Sequence, residues 1–134
     1  MSLSIIMVTP NISNNMCIFC KIINKELPAV VVYEDDDILA FKDVRPLAPV
    51  HILIIPKKHI ESINSLTEDD VELMGKLILA AKKIAIDFDI SPKGYKLLFR
   101  VGEWGGQEVP HIHLHLIGGV RLYENIRPWA DIKE

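Results

Sequence analysis

The chain has 134 residues, 49% of them apolar and 25% charged, which is the scale of one domain around a single core. With 15 Lys+Arg against 18 Asp+Glu, the formal charge of −3 excludes a generally basic nucleic-acid surface, so an anionic ligand needs a local positive or donor-rich site. The apolar fraction excludes a disordered chain, and apolar runs such as 52–55 and 77–81 fall far short of the roughly 18 residues that span a bilayer. Met1 to Val8 is apolar but lacks the basic start and small-residue cleavage site of a secretory signal, so no membrane association and a cytoplasmic location are expected.

Residues 1–15 read as a flexible N-terminal extension, because 11–15 is polar and turn-prone; residues 16–134 are expected to form a single domain. A short helical turn is expected over 17–24. Val30, Val31 and Val32 favour a strand over 29–34, and 35–37 reads as a hairpin turn. A second strand follows over 38–42 and a third over 51–55, stopped by Pro56. Thr67 with Asp70 three residues on resembles a capping box. Val71, Met74, Leu77, Ile78, Ala81, Ile84, Ala85 and Phe88 then recur at helical spacing and predict one amphipathic helix over 68–88. Strands are expected over 95–101 and 111–117 with a glycine-rich loop between them, and 118–134 has no clear period. This order predicts an α+β fold: a mostly antiparallel five-stranded sheet with one long helix and a short N-terminal helix.

The segment 111–117 concentrates the chemistry. In a strand, side chains alternate faces, so His111, His113 and His115 would share one face while Ile112, Leu114 and Leu116 pack on the core. The bland reading is a half-exposed strand carrying chance histidines. One sharper reading is a catalytic zinc held by the histidines, with an open position for water. The other is a nucleophilic imidazole that forms a covalent intermediate, a role that suits phosphorus chemistry near neutral pH. The preceding loop contains Gly102, Gly105 and Gly106, which let backbone N–H groups approach an anion; its bland reading is a tight connection between strands. Cys17 and Cys20 form a Cys-x-x-Cys pair, half of a tetrahedral metal site or else two buried reduced thiols.

The run from Gly105 to Gly119, with Gln107, Glu108, Val109 and Pro110 leading into His111-Ile112-His113-Leu114-His115-Leu116-Ile117, resembles the signature of the histidine-triad superfamily, closest to its Hint branch. The resemblance extends from Cys17 to Gly119 and includes Leu39-Ala40-Phe41-Lys42-Asp43-Val44 and Pro56-Lys57-Lys58-His59-Ile60. It implies a HIT-like fold and a nucleotidyl hydrolase that cleaves the bond between the α-phosphate of a purine nucleoside monophosphate and its leaving group, of the phosphoramidate P–N type. By match to the motif, His113 would be the nucleophile that forms a nucleotidyl-histidine. His111, His115 and His51 would stabilise phosphate charge or relay a proton. Gly106, Gln107 and Glu108 would supply backbone donors to the phosphate. Asp43 would meet the ribose hydroxyls, with Val44, Phe41, Phe19 and Ile22 around the base. The bland reading of Phe41 and Ile22 is core, and of Asp43 a turn cap. A dinucleoside polyphosphate hydrolase of the same superfamily, or a non-catalytic nucleotide-binding module, are the alternatives.

The resemblance also implies a structural zinc held by Cys17, Cys20, His59 and His111, with no cofactor required for catalysis. It implies a homodimer pairing through 68–88 and 95–101. In two places the chain departs from the Hint pattern. Arg100 stands where that pattern has Asn, and a guanidinium can bind phosphate but cannot copy an amide's acceptor. Pro110 stands where an aromatic residue is common, which the first residue of a strand tolerates.

Overall fold

A computed structural model describes residues 17–130, so the expected extension over 1–15 lies outside the described residues. Helix α1 (Ile18–Ile23) is followed by strands β1 (Val31–Glu34), β2 (Ile38–Lys42) and β3 (Val50–Pro56), helix α2 (Val71–Asp87), and strands β4 (Lys96–Leu98) and β5 (Leu114–Gly118). The strands form one five-stranded sheet in the order β1-β2-β3-β5-β4, with every neighbouring pair antiparallel. The expected architecture is therefore present.

Local chemistry sets the turns. The Asp35 carboxylate accepts from the backbone N–H groups of Asp37 and Ile38, both at 2.8 Å, and closes the β1–β2 hairpin. Thr67 and Asp70 form the expected capping box, with the Asp70 carboxylate accepting from Thr67 N–H at 3.0 Å. The box opens a 3-10 turn over Glu68–Asp70, and the α-helix proper begins at Val71. Lys58 Nζ donates to Asp70 at 2.8 Å and anchors the helix start to the chain leaving β3.

The sheet is covered on both sides, and period-two alternation sorts its side chains. Ile38, Ala40, Ile52, Ile54, Leu114 and Leu116 pack with Leu77, Ala81 and Ile84 of α2. Leu39, Phe41, Leu53 and Ile55 form the opposite layer, with Phe19 and Cys20 of α1. The histidines of interest belong to this second side.

Three strands are shorter than expected, β1 because it begins at Val31 and not at residue 29. β4 covers only Lys96–Leu98 of the 95–101 prediction, because its sole neighbour β5 begins at Leu114 and pairing ends with Leu98 opposite His115. Residues 111–113 precede β5. There Pro110 brings no N–H, His111 N–H bonds locally to the Val109 carbonyl at 2.8 Å, and Ile112 N–H bonds to Ile60 at 2.7 Å instead of to a strand of the sheet.

Because Leu77 is fully buried against the sheet, Leu77→Ala is expected to cost about 2–5 kcal/mol, read as a lower urea midpoint at fixed protein concentration. A loss below about 1 kcal/mol would show that this helix–sheet contact does not hold the core.

Candidate active site

β3 and β5 lie side by side, with Leu53 opposite His115 and His51 opposite Ile117. This register brings His51 and His115 together, with His51 Nε2 3.0 Å from His115 Nδ1. Leu47 N–H donates to His51 Nδ1 at 3.0 Å, and Arg100 Nη1 donates to His115 Nε2 at 3.1 Å. His113 points its Nδ1–H at the His111 carbonyl, 2.7 Å away, which leaves Nε2 as the unprotonated nitrogen of the neutral ring. Phe19 meets the His113 ring edge to face, with centroids 5.1 Å apart.

A cleft of about 480 Å³ is lined by His51, His113, His115, Arg100, Gly106 and Glu108 together with Asp43, Val44, Phe41, Phe19 and Ile22. Its size suits one nucleotide-scale ligand. Leu53 also lines it, a residue missed in the sequence although it shares a face with His51 by simple alternation. Phe19 and Phe41 are both core and cleft wall, 5.5 Å apart edge to face. Asp43 is both turn cap and cleft residue: Oδ1 accepts from Arg45 N–H at 2.9 Å, and Oδ2 lies 3.4 Å from His51 Nε2. A larger hollow of about 1140 Å³ beside Lys93, Lys96 and Arg121 is lined by no histidine, and the titratable cluster is not there.

Two expected residues are placed elsewhere. Gln107 does not line the cleft; its side-chain amide donates to the Glu61 and Val109 carbonyls at 2.7 and 3.0 Å and braces the loop from behind. The backbone N–H groups of Gly106 and Gln107 bond to Glu103 and Gly102 within the same loop, so in this conformation they do not face a phosphate. Gly106 keeps a positive φ of 84°, and a Cβ there would come within 3.3 Å of the Arg100 side chain, which packs across it. Arg100 is thus the cation against His115, while Lys42 and Arg45 also line the cleft.

His111 is the second displaced residue. It is 0% exposed, its Nε2–H donates to the Pro56 carbonyl at 2.8 Å, and it does not line the cleft. Its Nδ1 lies 3.5 Å from Cys17 Sγ, 3.6 Å from Cys20 Sγ and 3.2 Å from His59 Nδ1, and Cys20 Sγ is 3.2 Å from His59 Nδ1. Four soft or borderline donors therefore converge. Ligand atoms around a tetrahedral zinc stand roughly 3.3–3.8 Å apart, so this set fits such an ion, and the Pro56 carbonyl fixes His111 in the tautomer that ligation needs. The Cys17 side chain caps α1 by accepting from Cys20 N–H at 3.4 Å, which explains why both thiols sit at that helix's start. Among the described residues His113 joins no cluster of three or more metal-type ligands, so the three triad histidines do not converge on one ion.

Burial dominates the electrostatics. It pushes His115 down to about 3, helped by His113 and Arg100, and His111 down to about 4. Burial also lowers His51 and His113, with Asp43 opposing in both. Burial and Cys17 push the Cys20 thiol up to about 12, a cost that a bound cation would reverse.

A HIT domain matches residues 24–122. The chain belongs to the HIT family. It is 50% identical over 102 residues to an uncharacterized HIT-like protein of Synechocystis, covering 76% of this chain and 89% of that protein. It is 46% identical over 102 residues to a purine nucleoside phosphoramidase of Escherichia coli, covering 76% of this chain and 86% of the relative. A crystal structure of a HIT family hydrolase from Legionella pneumophila superposes with a TM-score of 0.79 at 55% identity, over 80% of this chain and 96% of that one.

The buried rings stay neutral in the folded state, whereas in the unfolded chain they gain protons below about 6.5. The unfolded state then binds more protons, so metal-free protein is expected to lose stability as pH falls from 6.5 toward 4. Its urea midpoint should be lower at about pH 5 than at about pH 7; an unchanged or higher midpoint would contradict the neutral assignment.

Proposed function

We propose that this HIT protein is a nucleotidyl hydrolase that cleaves purine nucleoside phosphoramidates through a covalent intermediate on His113. The carrying observation is the His113 ring: Nδ1–H is held by the His111 carbonyl at 2.7 Å, which leaves the Nε2 lone pair for attack at the cleft. The kinship with a named phosphoramidase at 46% identity supports the substrate class.

In the first step Nε2 forms a bond to phosphorus while the bond from phosphorus to the leaving nitrogen breaks. The leaving amine departs with the bonding pair and a proton, for which His115 Nε2 is the adjacent relay atom. Water then attacks phosphorus, forming a P–O bond as the bond from phosphorus to Nε2 breaks and the lone pair returns to Nε2, and the proton that water releases replaces the one relayed through His115 to the amine. Lowered pKa values keep the rings neutral and therefore nucleophilic near pH 7. Asp43 retains free lone pairs for ribose hydroxyls, and Val44, Phe41, Phe19 and Ile22 offer apolar surface to a base. His111 acts through its carbonyl and not by touching substrate.

Cys17, Cys20, His59 and His111 would hold a zinc ion with a full set of protein ligands, which gives the ion a structural role: it clamps α1 to the segment that carries His113. A homodimer is proposed through the α2 surface, where Val71, Ile78, Leu79 and Ile86 are exposed, together with the neighbouring β4 edge. Among the described residues no helix is long and apolar enough to cross a membrane.

His113→Ala is expected to lower turnover of adenosine phosphoramidate by at least about a thousandfold while AMP still binds. Wild-type protein quenched in acid-free denaturant during turnover should carry an adenylyl group on the peptide containing His113. Turnover by His113→Ala near the wild-type rate would overturn the covalent reading. Protein purified without added metal should contain about one zinc per chain, lost on Cys20→Ser; metal-free wild type that keeps its stability when zinc is added would contradict the clamp.

A further inference from the structure

We propose that Arg100 is a phosphate clamp parked on His115 in the ligand-free protein, and that an anionic phosphoryl group draws it off and thereby switches the tautomer of His115. The proposal rests on the cleft being the nucleotidyl-transfer site and adds how the site responds to its substrate.

Leu47 N–H can only donate, so His51 Nδ1 accepts and the proton of neutral His51 sits on Nε2. A guanidinium can only donate, so His115 Nε2 accepts and the proton of neutral His115 sits on Nδ1. These two protonated nitrogens then face each other at 3.0 Å. Three contacts hold four protons, one more than they can use. Protonating either ring makes the excess worse, and removing a ring proton would demand an imidazolate. Asp43 Oδ2, 3.4 Å from His51 Nε2, can draw the His51 proton aside but does nothing for His115. One of the three contacts is therefore unstable.

Arg100 is the member that can leave. His51 and His115 are fixed by the pairing of β3 with β5, and Leu47 N–H is backbone. Arg100 follows the short edge strand β4, is half-buried, and lays a long flexible side chain across Gly106, where no Cβ obstructs it. A phosphoryl oxygen in the cleft offers its guanidinium an anionic acceptor in place of a neutral ring nitrogen, which is the stronger bond. Once Arg100 departs, His115 takes the Nε2–H tautomer, and its Nδ1 accepts from His51 Nε2–H. Three contacts then carry three protons, and His115 presents an N–H to the phosphoryl group only when an anion is bound. An amide at position 100, as in the Hint pattern, can turn its oxygen to His115 Nε2–H and needs no such switch.

The test reads the His115 tautomer by long-range proton–nitrogen correlation in full-length protein labelled with ¹⁵N-histidine, free, with AMP and with adenosine. Free wild type should show Nδ1–H, AMP should convert it to Nε2–H, and adenosine should leave it unchanged. Arg100→Asn should show Nε2–H without ligand, and its preference for AMP over adenosine should fall by about tenfold or more. Arg100→Lys keeps the charge without the planar fork and should retain part of that preference. The clamp is overturned if His115 has one tautomer in free and AMP-bound wild type, or if free Arg100→Asn matches free wild type. Failure of wild type to bind AMP at all would instead bring down the nucleotide reading beneath it.

Discussion

The site depends on one short hydrogen bond, from His113 Nδ1–H to the carbonyl of His111 at 2.7 Å. It selects the tautomer of His113, the proposed nucleophile. It also makes His111 the common member of three structures, since its ring is held by the Pro56 carbonyl on one side and by the Cys17, Cys20 and His59 cluster on the other. His111 thus contributes through its backbone, by orienting His113, what it does not contribute to the cleft through its ring. The proposed metal clamp and the reactive nitrogen are separated by a single carbonyl, so loosening the cluster would move the nucleophile's orienting group.

The sheet supplies the second constraint. Leu114 and Leu116 belong to the helix-covered layer while His113 and His115 line the cleft, so a register slip of one residue would drive imidazoles into the apolar core. Burial of several rings is costly for any state in which they carry charge, and their lowered pKa values reflect that. The same desolvation keeps the nitrogens unprotonated, which a nucleophile needs. Under the proposed covalent role of His113, stability at acid pH is given up for reactivity near neutrality.

Much of this was legible in the sequence where the determinants are local. The Thr67–Asp70 box, the spacing of Leu77, Ala81 and Ile84, and the β-branched strands lie where expected. The gathering of His51 with His115 and of Cys17 with His111 was implied by the resemblance to the histidine-triad superfamily, not by any local pattern. What was not legible depends on partners distant in the chain. Strict alternation would put His111 beside His113 in the cleft, yet Ile112 pairs with Ile60 and the Pro56 carbonyl captures the His111 ring. Gln107 turns to Glu61 for the same kind of reason, and the span of β4 is set by where β5 begins. The contact between Arg100 and His115 joins the chain just after β4 to a residue of β5 and had no local signal.

Covalent catalysis by His113 predicts two successive in-line displacements at phosphorus, each inverting its configuration. Hydrolysis of a P-chiral adenosine phosphoramidothioate in ¹⁸O-water reads the outcome directly. Net retention is the expected result; net inversion, the mark of a single direct attack by water, would contradict covalent catalysis.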